Sequence, residues 1–264
     1  MTRIALIGFG EAGQCFAAAA DWGKRAQVFD IDPQRSRAAT LSEALTGADI
    51  ILSLVTADQA LIAAELAAPL IAKRALFCDM NSVAPQTKRA AAQMIEAAGG
   101  RYLDVAIMAP VEPARLAVPL LLASPYADAG SLALGTLGFT SIRSVGDEVG
   151  RAATIKMLRS VMFKGLEALT AECALAAHRA GVIDEVMTSL WGDFTEKADY
   201  NLDRMLVHGS RRAAEMDEVV KTLSGLGVEA EMTRGTVVRQ QALGMLGIKS
   251  PPAGLNAKLK AITA

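Results

Sequence analysis

From Arg3 to Ile7 the chain is short and apolar, then reads Gly8-Phe9-Gly10-Glu11-Ala12-Gly13, then continues as an alanine-rich run to Ala20. A strand that meets a GxGxxG turn and leaves as a helix has few ways to fold, because each glycine has a separate duty. Gly8 permits the tight turn, Gly10 lets backbone approach a phosphate, and Gly13 lets the helix pack closely on the strand. The N–H groups and positive dipole end at the helix start favour an anion. Residues Gly8, Phe9, Gly10, Glu11, Ala12 and Gly13 therefore read as a cradle for a dinucleotide pyrophosphate. Glycines also punctuate ordinary turns, so the flanking sequence has to decide.

The second apolar run, Ala26 to Phe29, ends at Asp30, 22 residues after Gly8. An acid at that distance hydrogen-bonds the adenine ribose hydroxyls, and its charge opposes a 2′-phosphate. Ile31 offers such a phosphate no cation, which favours NAD over NADP. Arg35 is the competing feature, since it could swing back to a phosphate or simply lie on a solvated face.

A helix is expected from about Gln34 to Leu41. The near-continuous apolar stretch Ala48 to Val55 follows, indicating a parallel sheet covered on both faces. Val55 and Thr56 close that strand at the edge where open α/β sheets bind ligands, although Thr56 or Asp58 could equally cap a helix. A helix over about 59–72 leads to the strand Ala75–Asp79 and then to Asn81 and Ser82. Polar groups there would face the nicotinamide half, or would cap the helix ahead of Pro85. Strand-like pieces at 101–107, 120–123 and 140–145 complete an alternating region. From Gly150 to Gly181 the pattern is one long helix, followed by helical segments to Leu246 and a short one in the tail. The expected fold is α/β, a doubly wound Rossmann sheet over 1–147 followed by an all-α domain over 148–264.

The 264 residues carry a formal net charge of −1, so no polyanion-binding surface is advertised and nucleic acid is not an expected partner. No apolar run reaches membrane-spanning length, and the sequence enters a strand without a signal-like segment, so a soluble cytoplasmic protein is expected. Cys15, Cys78 and Cys173 are odd in number and widely spaced, which suits buried thiols rather than disulfides or a metal cluster. With His178 and His208 the only histidines, no metal site is expected.

Along the long helix Lys156, Ser160 and Lys164 recur every fourth residue, beside the apolar positions Ile155, Leu158, Met162 and Leu169. By periodicity alone this is a solvated basic face. The chain as a whole, however, resembles the β-hydroxyacid dehydrogenases, the family of 6-phosphogluconate and 3-hydroxyisobutyrate dehydrogenases. The glycine turn looks like their cofactor loop, and Asp79-Met80-Asn81-Ser82-Val83-Ala84-Pro85 is similar to their Asp-x-Ser-Thr-x-x-Pro segment. Asp104 to Pro110 stands where they carry Asp-Ala-Pro-Val-Ser-Gly-Gly, and Gly146, Gly150 and Lys156 resemble their Gly-x-x-Gly-x-x-x-x-x-Lys helix. The stretch His208 to Met216 looks like an uncharacterised C-terminal domain of some bacterial members.

The resemblance implies a helical domain that builds a homodimer, an active site in the interdomain cleft, and Lys156 as the catalytic residue. A lysine whose charge is disfavoured by burial can accept the hydroxyl proton as hydride leaves the carbinol carbon. Met108-Ala109-Pro110 departs from Ser-Gly-Gly: Pro110 lacks an N–H and Met108 is apolar. Arg159-Ser160 replaces the family's Asn-Asn, so Ser160 could reach a substrate hydroxyl and Arg159 supply a cation. A substrate bulkier or more apolar than a short 3-hydroxy acid becomes conceivable. His208, Arg211 and Arg212 share a helix face that could hold an anionic small molecule, unless Arg211 merely pairs with Glu215. Trp191, Phe194 and Tyr200 read as packing residues. The expected activity is NAD(P)-dependent hydride transfer at CH–OH. Imine reduction and a non-catalytic dinucleotide sensor are the other readings.

Overall fold

The computed structural model describes residues 2–190 and 192–263; Trp191 lies outside them. The chain forms two compact units, Met1–Met157 and Leu158–Ala264. In the first, the elements are β1 (Ile4–Ile7), α1 (Glu11–Ala19), β2 (Gln27–Phe29), α2 (Leu41–Leu45), β3 (Ile50–Ser53), α3 (Ala60–Ala67), β4 (Leu76–Asp79), α4 (Pro85–Ala97), β5 (Arg101–Ile107), β6 (Leu120–Ala123), α5 (Ala127–Thr136), β7 (Ile142–Ser144) and the opening turns of α6 (Arg151–Ala180). The seven strands lie in the order β2-β1-β3-β4-β5-β6-β7.

From β2 to β5 every pairing is parallel. Alternate residues of each strand go to opposite faces, and both faces are covered. Leu6, Val28, Leu52 and Leu103 pack with Phe16 and Trp22 on one side and with Leu134 of α5. Ala5, Ile51, Phe77 and Tyr102 pack on the other against alanines of α3 and against Ile95. Burial of each large apolar side chain contributes about 1.5–3 kcal/mol, which is why these strands read as continuous apolar runs. The exception to a parallel sheet is β6, which returns antiparallel to β5, with β7 parallel to β6. The segment between β5 and β6 contains only a 3-10 turn at Arg115–Ala117, whereas a parallel return needs a longer crossover.

The helix expected over Gln34 to Leu41 is not formed, and α2 begins at Leu41 instead. Ser36 Oγ donates to the carbonyls of Val28 and Ala38, and the N–H groups of Arg37 and Ala38 both reach the Val28 carbonyl. Those bonds compete with a helical ladder. Thr40-Leu41-Ser42-Glu43 supplies the start: Thr40 Oγ1 accepts from the Glu43 N–H, and the Glu43 carboxylate accepts from the Ala39 N–H.

The second unit holds the rest of α6 and α7 (Ile183–Ser189), α8 (Phe194–Gly225), α9 (Glu231–Gly244) and α10 (Leu255–Thr263), with no strand among the described residues. Its core joins Ala171 and Ala174 with Leu202, Met205, Leu206, Leu243 and Leu259. A Cβ on Gly244 would stand 2.3 Å from the Ser210 nitrogen, and one on Gly209 2.4 Å from the Gln240 carbonyl oxygen, so α8 and α9 touch backbone to backbone. Phe194 packs against this core as expected, but Tyr200 is 56% exposed. Of the three cysteines only Cys78 is buried; Cys173 is exposed and Cys15 is half-buried, donating to Glu112. Among the described residues no helix is long and apolar enough to cross a membrane.

Candidate active site

Strand register sets out the site. Ile7, Ser53, Asp79 and Asp104 stand level across β1, β3, β4 and β5. After the first three the chain turns off the carboxyl edge, where open α/β sheets bind their ligands.

Beyond Ile7, Gly8 has φ +91°, and a Cβ there would lie 2.5 Å from the Leu54 carbonyl oxygen. A Cβ on Gly13 would meet the Gly8 carbonyl oxygen at 2.8 Å. Gly10 differs: its φ is −76° and a Cβ would meet nothing within 4 Å. Neither backbone conformation nor packing demands a glycine at that position, and the open space lies at the start of α1, whose N-cap has no side chain to offer. A phosphate group fits that space and those N–H donors.

Asp30 holds the loop from beside it. Its carboxylate accepts from the N–H of Phe9 at 2.6 Å and of Asp32 at 2.9 Å. Ile31 is 79% exposed. Arg35 does not turn toward the loop but pairs with Asp32 at 3.1 Å. Arg37, which drew no expectation, lies over the Phe9 ring, 5.1 Å from its centroid. Beyond β3, Thr56 is the N-cap of a 3-10 turn and bonds the carboxyl of Asp58, holding it below the usual carboxylate range.

Asn81 was expected to face the cofactor, but its side chain turns inward. Its Oδ1 accepts from the Val55 N–H at 2.7 Å, and its Nδ2 donates to Ser53 Oγ at 3.0 Å. It braces the β3 loop because a buried amide must satisfy both of its ends. The next hydroxyl, Ser82 Oγ, is buried with no hydrogen-bond partner among the described residues.

Beneath these loops lies a buried charged group. Lys88 Nζ donates to the carbonyl and Oδ1 of Asp79 at 2.5 and 2.9 Å and stands 3.5 Å from Asp104 Oδ1. The Tyr102 hydroxyl donates to the other Asp79 oxygen at 2.6 Å. Burial raises Asp104 above the usual carboxylate range against the pull of Lys88, and burial with Asp79 beside it raises Tyr102 well above an ordinary phenol. Lys88 went unnoticed in the sequence, yet a signal is there: Lys88, Ala91, Ala92 and Ile95 form the buried stripe of α4. A lysine in an apolar stripe at helical spacing marks a buried ion.

Lys156 follows the first turn of α6 and is half-buried. Met108 and Ile155 flank a small cluster of Ala106, Leu121 and Ala152, so the apolar Met108 segment does lie against the start of this helix. The remaining expected substrate residues belong to the second unit. Arg159 stacks over Phe163 at 4.1 Å, and Ser160 and His208 are half-buried. Arg212 is a buried structural cation, not the ligand-facing one its sequence position suggests: it pairs with Glu167, which also accepts from Gln240 at 2.9 Å. Arg211 pairs with Glu215 at 3.6 Å. The triplet is therefore not a common anion site, because α6 presents a carboxylate to the Arg212 position.

Residues 3–125 match the NAD binding domain of 6-phosphogluconate dehydrogenase, and residues 177–243 match a domain of unknown function, DUF1932. A conserved hypothetical protein from Sinorhizobium meliloti is 34% identical, with 99% of this chain and 96% of that one covered at a TM-score of 0.74. A conserved protein of unknown function, described as structurally similar to 3-hydroxyacid dehydrogenases, is 29% identical over 91% of this chain and 96% of its own, with a TM-score of 0.68. In fold alone the chain also matches the Salmonella typhimurium 3-hydroxyisobutyrate dehydrogenase, 15% identical with 98% and 99% coverage and a TM-score of 0.68. A Streptomyces aurantiacus imine reductase, 19% identical over the full length of both chains, matches at a TM-score of 0.56. The chain thus carries an N-terminal NAD-binding domain of the 6-phosphogluconate dehydrogenase type, with its glycine loop and Asp-x-Asn-Ser turn, and a DUF1932 region in its helical part.

Proposed function

We propose that this protein is an NAD-dependent oxidoreductase acting on the CH–OH carbon of a small hydroxy acid or polar alcohol, with Lys156 as general acid and base. The observation that carries this reading is a convergence on the carboxyl edge of one sheet. The glycine loop follows β1, the Asn81-Ser82 turn follows β4, and the N–H groups of Gly150 and Ala153, just before Lys156, bond to Asp104, level with Asp79. A bound nicotinamide supplies or takes up the hydride. The Lys156 amine accepts the hydroxyl proton during oxidation, and its ammonium returns that proton during reduction. Ser82 Oγ, buried and without a partner among the described residues, offers a hydrogen bond to a ligand. Gly10 and the N-terminus of α1 hold the diphosphate, and Asp30, fixed by two backbone N–H groups, receives the ribose hydroxyls.

NAD is favoured because Asp30 presents charge where a 2′-phosphate would sit, and Arg35 is engaged with Asp32. The test is thermal unfolding with NADH, NADPH and neither. A nucleotide at 100 times its dissociation constant stabilises by about 2.7 kcal/mol, and the larger shift is expected with NADH. A larger shift with NADPH would reverse the cofactor assignment, and no shift with either would remove the dehydrogenase reading. The substrate class is tested by a panel of hydroxy acids with NAD, and a rate optimum above neutral pH for oxidation distinguishes alcohol from imine chemistry.

A homodimer is part of the proposal. On α6 the side chains of Leu158, Met162, Leu166 and Leu169 recur along one face and are 41–61% exposed. A contiguous apolar stripe of this kind suits a second copy. Replacing both Met162 and Leu166 by glutamate is expected to yield monomer in analytical ultracentrifugation, with an intact helical signal; an unchanged sedimentation coefficient would place the interface elsewhere.

A further inference from the structure

The first turn of α6 is not capped by its own N-cap residue. Gly150 has φ +97°, and a Cβ there would press on Pro85 at 3.0 Å, so no polar side chain can stand at that position. The cap comes from the sheet: Asp104 Oδ2 accepts from the N–H of Gly150 at 3.0 Å and of Ala153 at 3.1 Å. One carboxylate oxygen thus satisfies two donors that a capping box would divide between two side chains.

Behind it, the other Asp104 oxygen faces Lys88 and makes no hydrogen bond among the described residues. The path then runs through Asp79, which also accepts from the Asn81 N–H at 3.0 Å, to Asn81 and the Val55 N–H. Asp79, Lys88 and Asp104 are each buried to about 1% exposure. Burying such ions costs several kcal/mol apiece, and apolar residues of similar volume are often no less stable. Stability alone therefore does not account for them. What they do is fix two things to each other: the β3 loop at the dinucleotide site and the start of α6, five residues before Lys156.

We propose that Asp104, held by Lys88, is the positioning residue for Lys156, and that the path from Val55 to Gly150 makes the dinucleotide loop and the catalytic helix respond together. This rests on the reading of Lys156 as the acid–base group. Through Asp104 the helix start has a set height and rotation on the sheet, and with it the lysine that follows.

The test uses the full chain as wild type, Asp104→Ala, Lys88→Met and Lys156→Ala. In amide hydrogen exchange, both network variants are expected to speed exchange over residues 150–157 by about tenfold, as loss of a cap would, with β1 and β3 unchanged. NADH is expected to slow exchange at both 53–56 and 150–157 in wild type, but only at 53–56 in Lys88→Met. With 3-hydroxyisobutyrate and NAD, Asp104→Ala is expected to lower kcat by about a hundredfold, the scale of an ångström-level misplacement, with the nucleotide KM unchanged. In the Lys156→Ala background the same change is expected to add nothing. Unaltered exchange over 150–157 in both variants, or NADH protection there surviving Lys88→Met, overturns the proposal. Wild-type turnover retained by Lys156→Ala overturns instead the reading beneath it, whatever the exchange data show.

Discussion

Replacing Lys156 by alanine is expected to lower kcat for hydroxy acid oxidation by about 10²–10⁴-fold, the usual contribution of a positioned general acid–base group. The half-buried side chain leaves no large cavity on truncation, and the helix around it is held at Gly150 and Ala153 by Asp104 rather than by the lysine. Nucleotide affinity and unfolding temperature are therefore expected to stay close to wild type. Steady-state kinetics beside a nucleotide titration checks this. An enzyme that keeps its rate without Lys156 takes its proton elsewhere, and a chain with no turnover in either form but full NADH affinity is a sensor.

The second large effect is expected within the glycine loop, and it separates two glycines only two residues apart. Gly8→Ala puts a Cβ 2.5 Å from the Leu54 carbonyl oxygen in a left-handed conformation. Strain and overpacking of that kind cost about 1–3 kcal/mol or more, and unfolding without ligand should show it. Gly10→Ala meets no atom within 4 Å. Its unliganded stability should move by no more than about 0.5 kcal/mol, as for a surface change, while NADH affinity falls at least about tenfold, or 1.4 kcal/mol. Undiminished NADH binding by Gly10→Ala would mean that the space above this residue is solvent, not a phosphate site.

Much of this molecule is legible locally. Strand, glycine turn and helix are contiguous, Asp30 follows at a fixed distance, and the strand-helix alternation before Gly146 gives way to helices after it. Those signals are periodic or short in range. What the sequence hid is what depends on distant partners. Arg212 reads as an available cation because Glu167, the carboxylate that takes it up, lies 45 residues away on another helix. Asn81 reads as a ligand contact until its amide is seen to span Val55 and Ser53. Asp104 reads as the start of a substrate segment, yet its carboxylate caps a helix 46 residues further on. The 34–41 segment has helix-compatible residues, and only the bonds of Ser36 and Arg37 to Val28 show why they do not coil. Tyr200 and Cys173, assigned inward by composition, lie exposed in this chain.

The reversal of the sheet at β6 has a consequence for how such a protein can change its specificity. Because β6 runs back beside β5, the connection from Met108 to Pro119 is a hairpin that stays on the carboxyl edge of the sheet. Elsewhere on that edge each loop is tied to a crossover helix that must still reach the next strand. Val111 and Val118 anchor the two ends of this connection in the core, while its exposed middle, Glu112 to Arg115, can be lengthened or exchanged at little cost beyond loop entropy. It is the part of the scaffold where a new substrate can be accommodated while the sheet, the glycine loop and the lysine helix are left as they are.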